Sequence, residues 1–159
     1  MRVALEVARR NVSERTGGPF GAAIFDGDGR LVSVGMNLVV LGKNSTLHAE
    51  MLAFQLAQAR IGSHDLGAAR HDLFTSCEPC AMCLGATLWS GVRRLVCSAA
   101  GEDAARIGFD EGPVFPESFR YLSDRNIEVS RNVLRAEGRT VLDEYASRGG
   151  PIYNATHRP

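Results

Sequence analysis

The chain has 159 residues, 45% hydrophobic and 23% charged, the composition of a globular protein long enough to bury a sizeable core. Its 18 basic and 18 acidic residues cancel, so it lacks the basic surplus with which proteins that bind long nucleic acids neutralise phosphates. No run approaches the roughly 20 apolar residues of a membrane span. The start, Met1 to Arg10, mixes acid and base without a cleavable apolar segment, so a secretory signal is not expected. A single domain over residues 1–159, resident in the cytoplasm and acting on a small molecule, is the expectation.

In chain order, Val3, Ala4, Val7, Ala8 and Val12 recur at helical spacing and predict a first helix, ended by Gly17-Gly18-Pro19. Phe20 to Phe25 reads as a buried strand, Asp26-Gly27-Asp28-Gly29 as a hairpin turn, and Arg30 to Asn37 as the returning strand. Val39 to Leu41 extends or follows that strand, ahead of a polar loop from Gly42 to Thr46. A helix from His48 to Arg60 is closed by Gly62. A third strand, His71 to Thr75, leads into a helix from Pro79 to about Ser90, and Arg94 to Ser98 is the fourth strand. Strand, helix and strand make a parallel β-α-β unit. Short helices at Ala104 to Ile107 and Ser118 to Ser123 precede a fifth strand, Ile127 to Val129. The last helix runs from Val133 to Tyr145. A hairpin followed by β-α units predicts an α/β fold, a mixed sheet with helices on both faces.

The chemistry concentrates in Thr-Ser-Cys-Glu-Pro-Cys-Ala-Met-Cys, residues 75–83, which holds three of the four cysteines. Cys80 and Cys83 are one helical turn apart, and a helix starting at Pro79 points its free N–H groups at their sulfurs. That setting favours thiolates, the form that binds metal. His48-Ala49-Glu50 supplies the other half-site, because a helix start allows side chains two apart to converge. A structural zinc would want a fourth protein ligand, for which Cys77 is the nearby candidate; a catalytic zinc keeps three and leaves room for water. Cys77 reads as a strand-end residue and Cys97 as core. His64, His71 and His157 are expected in solvent. Arg131, Arg135 and Arg139 fall at helical spacing, as a wet face or a phosphate-binding stripe.

With these residues in place, the chain resembles the cytidine-deaminase-like zinc deaminases, whose signature is H-x-E followed by P-C-x-x-C. The resemblance implies a three-layer α/β/α sandwich with a mixed five-stranded sheet. It implies one zinc held by His48, Cys80 and Cys83, with Glu50 moving protons between water, a ring nitrogen and the leaving amine. Residues 75–86 are similar to the purine branch, shared by guanine deaminases and tRNA adenosine deaminases. Gly108-Phe109-Asp110-Glu111-Gly112-Pro113 and Ile152-Tyr153-Asn154-Ala155 resemble guanine deaminases in particular.

That similarity further implies that Asn37 hydrogen-bonds the purine ring, Phe20 packs on the base, and Ala49 and Trp89 border it. Glu111 would read guanine's amino group, either binding alone or also shuttling protons. Tyr153, within a tail at 148–159, would cap an active site, its own or a partner's, in a homodimer with exchanged C-terminal segments. Asn44-Ser45-Thr46-Leu47 departs from the family's usual D-P-T-A and puts a bulkier Leu47 near the site. The implied reaction is hydrolysis of guanine to xanthine and ammonia. Alternatives are a nucleoside of guanosine or cytidine type, an aminotriazine, or tRNA adenosine. A zinc-stabilised binding module is the non-enzymatic alternative, and Glu50 argues against it.

Overall fold

The computed structural model describes residues 1–155. Five strands, β1 (Gly21–Asp26), β2 (Leu31–Met36), β3 (His71–Cys77), β4 (Arg94–Ala99) and β5 (Glu128–Ser130), form one sheet in the order β2-β1-β3-β4-β5. β1 runs antiparallel to β2 and β3, whereas β3, β4 and β5 are parallel. The seven helices are α1 (Arg2–Ser13), α2 (Val39–Gly42), α3 (Ala49–Ile61), α4 (Ala81–Ser90), α5 (Gly101–Arg106), α6 (Pro116–Ser123) and α7 (Arg135–Ser147). One core joins α3, α4 and α6 to one face of the sheet through Ala53, Phe54, Leu84, Leu73 and Leu95. A second joins α1 and α7 to the other face through Ala8, Val12, Val141 and Leu142. The expected mixed five-stranded sandwich is what the chain forms.

The inner strand β1, between β2 and β3, is small and apolar on both faces, with Ala22, Ala23 and Ile24 fully buried, so helices approach closely. Gly35 of β2 is the sharpest case. A Cβ there would lie 1.9 Å from the Ala49 carbonyl oxygen, so only glycine lets the start of α3 rest on the sheet. β2, β3 and β4 all end at one edge of the sheet, and α3 and α4 begin there. Clefts at the carboxyl ends of strands are where open α/β sheets place ligands.

Several boundaries differ from the expectation for local reasons. Val39 to Leu41 is not strand but the short α2, because the Asn37 side-chain oxygen accepts the Val39 N–H at 3.3 Å and turns the chain. α4 starts at Ala81 rather than Pro79: the Glu78 N–H is bonded to the Ala99 carbonyl, and Cys80 stays extended (φ −66, ψ 172) as the N-cap. α7 starts late because Val133 N–H bonds Cys97 O and Leu134 takes a left-handed turn, φ 58. His71 is buried, not solvated, with its Nδ1 2.8 Å from the Leu66 carbonyl, while His64 is exposed. His157 lies outside the described residues.

The three arginines stay partly in solvent, their side chains 34–50% exposed, as a wet face would be, but each is ion-paired: Arg131 precedes α7 and binds the buried Glu78, while Arg135 and Arg139 meet the buried Asp103. That pairing argues against a phosphate stripe. Among the described residues, no helix is long and apolar enough to cross a membrane.

Candidate active site

His48 caps α3 in an extended conformation (φ −73, ψ 156), which lets its ring and the Glu50 carboxyl turn toward the same point. Cys80 caps α4 in the same way, and Cys83 stands in that helix's first turn. His48 Nδ1 lies 3.5 Å from Cys80 Sγ and 3.6 Å from Cys83 Sγ. A tetrahedral zinc with sulfur at about 2.3 Å and nitrogen at about 2.0–2.1 Å holds such pairs roughly 3.6 Å apart. The donor set therefore fits the metal in kind and in spacing. Cys77 points away, its Sγ 3.6 Å from the Ala100 carbonyl within the opposite core, so it adds no fourth ligand. Three protein ligands and an open position are the pattern of a catalytic centre.

The hydrogen bond from Cys83 is the main cause that pushes the Cys80 thiol down to about 4, with His48 assisting. The same contact, with burial, pushes Cys83 up. Metal binding would take both sulfurs as thiolates and release their protons. Glu50 is buried beside them, its Oε2 accepting from the Cys83 thiol at 3.5 Å. Burial above all, then the Cys80 charge, pushes its carboxyl up to about 7, where a group can both take and give a proton near neutrality.

A cavity of about 180 Å³ opens onto His48, Glu50 and Cys80, and Phe20, Phe109, Glu111 and Tyr153 complete its walls. That is small beside the roughly 300–1,000 Å³ of drug-sized sites and suits one compact heterocycle. A larger cavity, about 310 Å³, lies among Val12, Tyr145 and Pro151 and holds no acid–base pair or metal ligand. Chemistry, not volume, identifies the site.

Glu111 lines the cavity from the loop after α5, and its main-chain carbonyl accepts the Ala81 N–H at 3.0 Å. This bond ties the Glu111 loop to the start of the zinc-ligand helix. Burial first, then the charges of Cys80 and Glu50, pushes the Glu111 carboxyl up to about 8. Asn37 is 1% exposed, yet its Nδ2 has no protein partner. The Tyr153 hydroxyl is likewise unpartnered. A Cβ on Gly18 would sit 2.1 Å from that hydroxyl and 3.0 Å from Asn37 Oδ1, so the two side chains meet over Gly18. Tyr153 lines the cavity, whereas Asn37 does not and adjoins it only through Phe20 and Val39, which do. An orphaned buried polar group calls for a partner that the chain itself does not supply.

The tail folds back over the Glu111 loop. Asn154 donates to the Gly108 carbonyl at 2.8 Å and accepts from the Asp110 N–H at 3.0 Å. Beneath it Phe109 packs edge-on against both Phe20 (5.0 Å) and Tyr153 (4.9 Å). Sequence reasoning treated Phe109 as part of a loop motif and gave it no role; its apolar side chain beside a glycine was the available signal.

Three expected neighbours stand elsewhere. Trp89 is 81% exposed on α4 and does not line the cavity. Ala49 is fully buried against the sheet and is also absent from the walls. Leu47 packs against Gly42, leaving Ser45 as the residue of that loop at the cavity.

Residues 1–99 match the cytidine and deoxycytidylate deaminase zinc-binding region. The chain belongs to this deaminase family. It is 36% identical to a guanine deaminase of Bacillus subtilis over 127 residues, 80% of each protein. A tRNA-specific adenosine deaminase of Haemophilus influenzae is 32% identical over 143 residues, 86% of this chain and 75% of that protein. The structure of a guanine deaminase from Nitrosomonas europaea superposes with a TM-score of 0.88 at 45% identity, covering 92% of this chain and 82% of the other. A structure solved with 2,6-diaminopurine superposes at 0.90 with 46% identity, covering 96% and 82%.

Family and ligand geometry together make this a zinc-dependent hydrolytic deaminase. Elemental analysis should find one zinc per chain. Cys83→Ala should lose it, together with stability equivalent to at least about 5 °C in Tm, because the metal's binding energy is folding energy. Full zinc occupancy in Cys83→Ala would overturn the ligand assignment.

Proposed function

We propose that this enzyme hydrolyses guanine to xanthine and ammonia, as a single deaminase domain whose tail caps the site. The observation that carries this reading is Glu111, which lines the same small cavity as Glu50 and, unlike the other two acids there, Glu78 (paired with Arg131) and Asp110 (bonded to the Gly112 N–H), has no side-chain partner in the described residues. Guanine presents adjacent N–H donors along its N1 and amino edge, which a carboxylate accepts. The unpartnered Asn37 Nδ2 supplies a donor for a ring acceptor. The relatives named as guanine deaminases support the same substrate.

When bound, zinc lowers the pKa of water so that a nucleophile is available near neutral pH. Glu50 accepts the proton released as water adds, passes it to the ring nitrogen, then takes the proton of the new C2 hydroxyl and delivers it to the departing amine. Phe20 and Phe109 offer apolar faces to the base, and Tyr153 shields the cavity from solvent. Water thus adds across the C2–N3 double bond, and loss of ammonia leaves the C2 carbonyl of xanthine, so atoms and charge balance. A tRNA substrate finds less support, since Arg131, Arg135 and Arg139 are engaged with Glu78 and Asp103.

The deciding experiment is ammonia release from guanine, guanosine, adenosine, cytosine, an aminotriazine and a tRNA stem-loop. Guanine should show the highest kcat/KM; a larger value for guanosine or the stem-loop would overturn the proposal.

The cytoplasm suits a centre built on two thiolates. A homodimer accounts for the apolar outer faces of α3 and α4, where Leu56 is 53% and Trp89 81% exposed. Trp89→Glu should then give a monomer by light scattering, and an unchanged mass would refute that placement.

A further inference from the structure

The geometry points to Asn11 as a positioning residue for the base-reading end of the site, an inference that rests on Asn37 being the donor to the purine. Asn11 lies on the buried face of α1 with Ala4, Leu5, Ala8 and Val12, and is itself 1% exposed. An amide in such company costs stability unless its hydrogen bonds are made. Here they all are. Nδ2 donates to the carbonyl oxygens of Gly18 (2.7 Å) and Asn37 (2.8 Å). Oδ1 accepts from the Thr16 hydroxyl at 2.6 Å, which fixes which way the amide faces.

Gly18 lies on the loop leading into β1, and Asn37 on the end of β2. One amide group therefore sets the separation of the two segments that border the base. There is no slack between them: a Cβ on Gly17 would lie 1.9 Å from the Asn37 carbonyl oxygen and 2.8 Å from Asn11 Nδ2. Asn37 N–H bonds the Phe20 carbonyl at 3.1 Å, so the same brace carries Phe20 with it. The Asn37 side chain is then held at its oxygen by Val39 N–H, leaving Nδ2 without a protein partner. None of Asn11, Gly18 and Asn37 lines the cavity itself; Asn11 acts through the last two on their neighbours Phe20 and Val39, which do.

Asn11→Asp keeps the shape but turns a carboxyl oxygen toward two carbonyls that need a donor. Thr16→Val leaves both carbonyl contacts in place and removes only the hydroxyl that orients the amide. Steady-state kinetics on whichever base the panel identifies, with zinc content measured alongside, tests both. Asn11→Asp should raise KM by about tenfold or more, the cost of a lost buried hydrogen bond, with one zinc retained and kcat within about threefold. Thr16→Val should move KM in the same direction by a smaller factor, and it decides the matter if Asn11→Asp does not fold.

A merely structural role would lower Tm and leave KM unchanged. Asn37→Ala is the reference. If it raises KM while both other variants keep the wild-type value, the role of Asn11 is overturned and that of Asn37 stands. If none of the three raises KM, both fall.

Discussion

Glu50→Gln should bind one zinc, fold normally, and lose turnover on every substrate. Glutamine preserves the size of the side chain and its place in the first turn of α3 but cannot accept or return a proton. General acid–base catalysis contributes typically about 10²–10⁴-fold, and this one group serves both the attacking water and the leaving amine, so the loss belongs at the upper end. Stability should not suffer. The wild-type carboxyl is buried, and burial is what pushes it up to about 7; a neutral amide avoids that desolvation. Zinc analysis, thermal melting and kcat on guanine, compared side by side, separate this outcome from simple loss of the metal. Retention of more than about a tenth of wild-type kcat would mean that another group moves the protons.

The zinc ligands were legible because all three sit at helix starts, where short-range sequence and local geometry coincide. His48 and Cys80 are both N-caps in extended conformation, and Cys83 follows Cys80 by one turn. The β1–β2 hairpin and the parallel β3–β4 pair followed from similarly local signals, whereas the antiparallel β1–β3 pairing that completes the sheet order had no such signal. What escaped was whatever depends on a partner distant in sequence. Arg131 reads as a free cation until Glu78, 53 positions away, is seen beside it. His71 is an exception, since the carbonyls that hold its ring, on Leu66 and Ala69, are near in sequence but lie in a loop without periodic signal. Asn11 sits in a helix whose periodicity gives no reason to single it out, and only the return of β2 brings the Asn37 carbonyl to it.

Trp89 stands away from the cavity for a different reason. The family resemblance puts it at the pocket wall and its apolar surroundings suggest core, yet six residues beyond Cys83 it projects from another, also apolar, side of α4 and is exposed. Periodicity tells which residues share a face but not which of two apolar faces meets the sheet. Leu47 shows the same limit at short range: its bulk is expected near the site, and it is absorbed by Gly42, whose missing side chain makes the space.

Glu111→Gln should discriminate among substrates where Glu50→Gln does not. The Glu111 carboxyl faces the cavity from a loop bonded to the start of α4, and burial pushes it up to about 8. If it accepts from guanine's N–H edge, glutamine keeps one acceptor and sets an amine donor against the ligand's own donors. Leaving a buried donor unpaired costs about 1–3 kcal/mol, or roughly 5- to 150-fold in kcat/KM. Adenine- and cytosine-type substrates do not present that edge, so their residual rates should change by less than about threefold. A guanine loss beyond about 10³-fold would exceed one hydrogen bond and assign Glu111 a share in proton transfer. Zinc content should stay at one per chain, because Glu111 is not among the ligands. Guanine turnover left intact by Glu111→Gln would reduce the loop to a structural element, and the choice of guanine over other bases would lose the observation on which it rests.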